Sequence, residues 1–439
     1  MKWKVYPEYK DSGVEWLGEI PAGWELMRVK RIFSITNGST PDTGRPEFWD
    51  GDIAWITPDD LGSLEGNTIT SSIRRITDAG YRSCATTLAP TNSIVLSTRA
   101  PIGHLAIAGI PLCTNQGCRS LAPRRDNYAK FFYYQLLIAR PELQAWGQGS
   151  TFTELSASKL GSVQVACPPL DEQRAIAVFL DREAARIDAM IAKKEQLIAL
   201  LEEKRTALIS QAVTNGLDPN VPMKDSGQES LGPVPAHWKV VRLKLISRIR
   251  YGLGEPPREA IDGLPLIRAT NVKRGRIVEN GMLRVDPSDV PYERDPILRT
   301  NDIVVVRSGA YTGDSSIIPP EYDGAVTGYD MVVRANGPLP KFIAYALLSV
   351  PVLNHQIDLL RTRAAQPHIN AEELGNCVLP LPPPDEQQAI VSFLDESTSR
   401  IETLVLKNKE VIDKLREYRT ALISAAVTGK IDVRNGATT

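Results

Sequence analysis

No run of about 18 apolar residues occurs in this 439-residue chain, so no ordinary membrane-spanning helix is expected. The opening, Met1 to Lys10, lacks the apolar core of a signal peptide, which points to a cytoplasmic location. Cysteine is sparse. Cys84, Cys113, Cys118, Cys167 and Cys377 are odd in number and never spaced C-x-x-C. They read as small buried residues, not as a disulfide framework or zinc site. His104, His237, His355 and His368 are scattered without metal-ligand spacing. The formal net charge of −1 gives no bulk attraction to nucleic acid, though a local basic face remains open. Phosphate-loop, dinucleotide, zinc-protease and nucleophile-elbow motifs are absent. So is the N-P-P-[YF] or D-P-P-Y signature of amino-methyltransferases.

What is present is a duplication. Pro168-Pro-Leu-Asp-Glu-Gln173 returns as Pro382-Pro-Pro-Asp-Glu-Gln387, a shift of 214 residues. The same shift carries Arg205-Thr-Ala-Leu-Ile-Ser210 onto Arg419–Ser424, and Pro21-Ala-Gly-Trp24 onto Pro235-Ala-His-Trp238. One unit is written twice, an arrangement suited to a target with two halves. Identities gather at the edges of each copy, and the middles diverge. The repeat divides the chain at 1–167, 168–216, 217–381, 382–430 and a tail at 431–439.

Segments 168–216 and 382–430 read as long helices. Apolar stripes alternate steps of four and three, the seam of a coiled coil. The first runs Ile176, Leu180, Glu183, Ile187, Met190, Lys194, Leu197, Leu201, Lys204, Leu208. The second runs Ile390, Leu394, Ser397, Ile401, Leu404, Asn408, Val411, Leu415, Tyr418, Leu422. Asp171 and Asp385 suit N-caps, and Gly216 and Gly429 suit C-terminal stops. The second block follows the first helix within about ten residues and feeds the start of the second helix. Paired stripes must then run antiparallel, and the tail must return to the first block. The expected fold is α+β: two mixed α/β domains separated by an antiparallel coiled coil of two long helices, with a pseudo-two-fold internal repeat. Each helix spans roughly 60 Å at ~1.5 Å rise per residue.

The blocks read as short strands with Gly/Pro-rich loops. Ser93–Thr98 and Asp302–Arg307 are buried strands at corresponding places, each after a Thr-Asn pair. Helical pieces follow at Tyr128–Ile138 and Phe342–Ser349. Between Arg31 and Ala166 there are 10 Arg and 2 Lys, and between Ile246 and Pro380 13 Arg and 2 Lys. Arginine's rigid fork fits guanine edges and phosphates, although GC-rich coding would also enrich it. Candidate DNA contacts are Arg74, Arg75, Arg99, Asn115, Gln116, Arg119, Gln148 and Thr151 in the first block. In the second they are Lys273, Arg274, Arg276, Arg307, Tyr311, Arg361, Arg363 and Gln366. No catalytic or metal residue is assigned. Ser156-Ala-Ser-Lys159 matches S-x-x-K, but the second copy has Asn370-Ala-Glu-Glu373 there. A capped helix start explains both.

A doubled unit of this kind, each half a variable domain ending in P-P-x-D-E-Q-x-A-I-x-x-F-L-D before a long helix, resembles the specificity subunit of type I restriction–modification enzymes. The resemblance covers essentially the whole chain. It rests on Pro168–Gln173, Ala175-Ile176, Phe179–Asp181 and their second copies, on the helix ends at Arg205–Ser210 and Arg419–Ser424, and on Trp24 and Trp238. It implies two target recognition domains, each reading half of a gapped DNA sequence. It also implies helices that set the gap and dock methyltransferase and restriction subunits. S-adenosylmethionine and ATP/Mg sites are expected in those partners, with no cofactor in this chain. The competing readings are a coiled-coil scaffold joining two protein-binding domains, and a Ser156/Lys159 hydrolase.

Overall fold

The computed structural model describes residues 3–99, 101–124, 127–147, 154–361 and 367–434. The chain forms two compact units. Unit 1 is Met1–Lys193 with Glu410–Thr439, and unit 2 is Lys194–Lys409. Each holds one variable block plus part of both long helices, α1 (Leu170–Asn215) and α2 (Pro384–Val427).

In unit 1 a five-stranded sheet runs in the order 33–37, 118–123, 94–97, 105–108, 68–69, antiparallel except for its last pair. Ile94–Ser97 and Leu105–Ala108 are wholly buried, as continuous apolar runs require. A second sheet has three strands in the order 112–114, 49–56, 74–76. In unit 2 the corresponding sheet has four strands in the order 247–251, 331–335, 303–305, 315–317, with a three-stranded companion of 283–285, 259–267 and 326–327. Asn92 and Asn301 precede the buried central strands and both have positive φ (65° and 74°). That conformation is tolerated by asparagine and explains the recurring Thr-Asn pair. The expected helices are found at Ala129–Ile138 and Pro340–Leu348. No single helix among the described residues is long and apolar enough to cross a membrane.

The long helices run antiparallel within each unit. In unit 1 Arg419 of α2 pairs with Asp188 of α1 at 3.0 Å, and Arg434 reaches Glu172 in the first turn of α1 at 3.8 Å. In unit 2 Ile209, Ala212 and Val213 share a core with Ile390, Val391 and Leu394, while Arg276 contacts both Glu202 and Glu402. The stripe is right at Ile187, Ile401, Asn408 and Leu422, but every second position is displaced by one residue. Val405 and Ile412 are buried, whereas Leu404, Val411 and Tyr418 are exposed. In α1 Met190 and Leu197 are exposed, while Ile191 and Ile198 turn partly inward. Asp171 and Asp385 are not caps. They lie inside the first turn, where carboxylates meet the positive end of the helix dipole.

The repeated motif fastens each block to a helix. Trp24 Nε1 donates to Glu172 at 3.2 Å and Trp238 Nε1 donates to Glu386 at 2.8 Å. The Gln173 amide donates to Pro168 O and accepts from Tyr128 N–H, each at 2.8 Å. Gln387 does the same with Pro382 O and Leu339 N–H. Asp181 binds Lys130 and Tyr134, and Asp395 binds Lys341 and Tyr345. Apolar Ile176, Phe179 and Leu180 bury behind these polar contacts. The identities therefore mark a joint, built twice from the same parts.

Both helices stop at a left-handed glycine, Gly216 (φ +76°) and Gly429 (φ +74°), each against the tryptophan of the joint. After Gly429 the tail returns to the first block. Asp432 N–H donates to Lys4 O at 2.7 Å, and Tyr9 Oη donates to Gly429 O at 3.0 Å.

Candidate nucleic-acid interface

Most of the candidate cations in unit 1 are engaged internally. Arg99 and Arg119 share the Glu154 carboxylate at 2.7 and 3.2 Å. Arg119 is buried, also donates to Leu155 O and Asn37, and has its pKa lowered mainly by that burial. Arg75 donates to the carbonyls of Gly51 and Asp52. Asn115 Oδ1 accepts from Gly117 N–H at 2.9 Å, shaping its own turn. Gln116 accepts from Thr40. Arg74 differs: its guanidinium stacks 3.5 Å from the Trp49 ring centroid and forms no ion pair among the described residues. Gln148 and Thr151 lie outside the described residues.

In unit 2 Arg274 pairs with Asp314 at 3.2 Å, and Lys273 sits 3.4 Å from the Tyr311 ring centroid. Arg276 faces the long helices, donating to Glu402 at 2.7 Å, so it anchors the block and is not placed with the loops. Arg307 lies between two rings, Tyr251 at 4.5 Å and Tyr329 at 4.2 Å. Below it Asp330 is buried and accepts the Arg307 backbone N–H at 3.2 Å. Burial pushes the Asp330 carboxyl up to about 6. Arg361 ends the helix Asp358–Arg361; Arg363 and Gln366 lie outside the described residues.

Arg99 and Arg307 are both candidates, but they are not equivalent positions, as the matched strands Ser93–Thr98 and Asp302–Arg307 already imply. Leu155 N–H donates to Thr98 O, and Ile369 N–H donates to Arg307 O. Arg99 bridges Glu154, as Ser308 bridges His368. Arg307 therefore corresponds to Thr98, and one residue of offset turns a strand side chain to the opposite face. Tyr251, Tyr329, Asp330 and Trp49 escaped the reading altogether. Tyr251 stood at the head of a Gly/Pro-rich loop, but only the folded sheet brings it to Arg307. The arginine skew is partly structural as well. Arg334 forks onto the buried Asp302 with two bonds of 2.7 Å, and Arg250 pairs with Asp295 at 3.5 Å.

The hydrolase reading fails on geometry. Ser156 Oγ caps the helix Ala157–Ser162 by accepting from Lys159 N–H, while Lys159 Nζ donates to Trp146 O at 3.2 Å. Asn370 caps the corresponding helix with a full capping box. Among the described residues no group of three or more His, Cys, Asp or Glu is placed to hold a metal.

Two stretches, residues 21–200 and 237–413, match the type I restriction modification DNA specificity domain. The chain belongs to that family. The specificity-domain matches span both copies of the repeat, joints included. The chain is similar to the MjaIX specificity subunit of Methanocaldococcus jannaschii, with 27% identity over 99% of this chain and 98% of that protein. The EcoKI specificity subunit of Escherichia coli K12 is 20% identical over 94% and 90%. A chain of a type I R-M system, solved for its complex assembly and conformational transition, superposes with a TM-score of 0.70 over 93% of this chain and 98% of that one, at 17% identity. The HsdS subunit of Thermoanaerobacter tengcongensis gives 0.51 over 94% and 98%, also at 17% identity. These two likenesses are of fold.

Proposed function

We propose that this chain is the specificity subunit of a type I restriction–modification system. It binds double-stranded DNA, and each unit reads one half of a two-part, gapped sequence. The observation that carries this reading is the repeated joint. Matching polar clasps hold two blocks whose exposed loops differ, so the frame recurs and the readers vary. Arginine and tyrosine on those loops suit base edges and backbone. The long helices serve as spacer and as the seat for methyltransferase and restriction subunits. Exposed apolar side chains on both helices support that role: Met190, Val411 and Tyr418 in unit 1, and Leu197, Leu200, Leu404 and Leu406 in unit 2. In this reading S-adenosylmethionine and ATP/Mg bind the partner subunits.

Mapping adenine methylation in a genome carrying or lacking this chain tests the proposal. A two-part motif that depends on the chain is expected. Deleting one heptad from each helix should shorten the gap in that motif. Methylation indifferent to the chain would instead favour a coiled-coil scaffold joining protein-binding domains.

A further inference from the structure

Three adjacent strands of unit 2 deliver their ends to one place. Tyr251 ends Ser247–Tyr251, Arg307 follows Ile303–Val305, and Tyr329-Asp330 leads into Met331–Ala335. In register Met331 pairs with both Tyr251 and Val305. Tyr251 and Tyr329 are half-exposed, yet their rings bracket the Arg307 guanidinium. That guanidinium has no hydrogen bond or ion pair among the described residues, and its Nε is buried without a partner. The backbone around it is fixed. Asp330 accepts the Arg307 N–H, Arg307 O accepts from Ile369 N–H at 2.9 Å, and Tyr251 Oη accepts from Ala371 N–H at 2.9 Å. Beside the stack lies a cleft of about 210 Å³, lined by Leu253, Arg268, Ser308 and Tyr329 among others.

We propose that Arg307 reads a guanine in the half-sequence recognised by unit 2, donating from its guanidinium edge to the base N7 and O6, while Tyr251 and Tyr329 hold the guanidinium plane. This rests on the reading of the chain as a DNA specificity subunit. Stacking on two rings leaves the in-plane N–H donors as the free chemistry of the side chain. Guanine is the base whose major-groove edge offers two acceptors side by side. A phosphate contact needs charge but no fixed plane, and a mobile lysine serves it as well. The corresponding residue of unit 1, Thr98, is buried and donates to Gly117 O, so the device belongs to one half only.

The test incubates the full chain with a randomised duplex DNA pool and sequences the bound fraction. Wild type should enrich a two-part motif with guanine fixed at one position that depends on Arg307. In Arg307→Ala that guanine preference should fall by about tenfold or more, with the other half of the motif intact. Arg307→Gln should favour adenine there, because a carboxamide matches adenine N6 and N7. An unchanged motif in both variants overturns the assignment. So does equal weakening at every position with a shallower salt dependence, the mark of a phosphate contact. If Arg307→Ala loses that whole half, Arg307→Gln decides: adenine gained over guanine supports the assignment, and guanine still preferred overturns it. Should wild type enrich no two-part motif, the specificity-subunit reading itself falls, an outcome distinct from failure of Arg307 alone.

Discussion

Units 1 and 2 use the same joint but treat their strand-end arginines in opposite ways. In unit 1 Arg99 and Arg119 converge on Glu154, and the variable block carries no largely exposed aromatic side chain among the described residues. In unit 2 Arg307 forms no ion pair among the described residues and lies against two rings, and Tyr251, Tyr292, Tyr311 and Tyr329 are about half-exposed. The joint recurs because its tryptophan bonds the helix glutamate and its buried glutamine ties the proline carbonyl to the backbone of the block. A duplicated frame thus holds two blocks whose strand ends and loops are built differently.

The contrast can be broken most sharply at Glu154. Removing this carboxylate leaves the buried Arg119 charge unpaired, so Glu154→Ala should destabilise unit 1 by about 3 kcal/mol. His368→Ala, the corresponding change in unit 2, should cost less than about 0.5 kcal/mol. Equal losses in chemical denaturation would show that the two strand ends are built alike.

A second difference is electrostatic. Burial raises the Asp330 carboxyl from 3.8 to about 6, so the folded state holds this proton more tightly than the unfolded chain. The contribution is fully present below about pH 4 and is lost as pH rises through about 6. Unit 2 should lose on the order of 2 kcal/mol over that range from this group. Asp330→Asn should lack the decline. Parallel pH profiles for variant and wild type would contradict it.

The two helix stops allow a finer comparison. An added Cβ at Gly429 would meet Pro21 Cδ at 2.3 Å, whereas at Gly216 it meets Trp238 at 3.2 Å. Both substitutions impose left-handed strain of about 1 kcal/mol. The clash adds to it at Gly429, so Gly429→Ala should cost about 2 kcal/mol and Gly216→Ala about 1. The smallest difference is expected at the clasps. Asp181→Ala should cost about 1 kcal/mol, and Asp395→Ala less, because Tyr345 also contacts Thr398 and its clasp is more exposed. Melting temperatures of the four variants check this order.

The repeat made much of the fold legible: both helices, their glycine stops, the caps at Ser156 and Asn370, and the returning tail. The seam's phase was not legible, because Met190-Ile191, Leu197-Ile198, Leu404-Val405 and Val411-Ile412 are adjacent apolar pairs, and a four-three pattern fits either member. At Tyr418-Arg419 hydrophobicity favours the tyrosine, but the Asp188 carboxylate draws the arginine inward. The candidate contact residues were harder still. Whether an arginine is free depends on acids distant in sequence, such as Glu154 for Arg119 and Glu402 for Arg276. The matched strands set Thr98, not Arg99, opposite Arg307, but only the folded sheet shows which rings and acids surround each side chain.

The most direct test of separate readers on a shared frame is to replace residues 237–381 with the corresponding segment of a relative and map the recognised motif. The account predicts that one half of the motif changes while the other half stays as in the parent. A motif altered in both halves, or in neither, would contradict it.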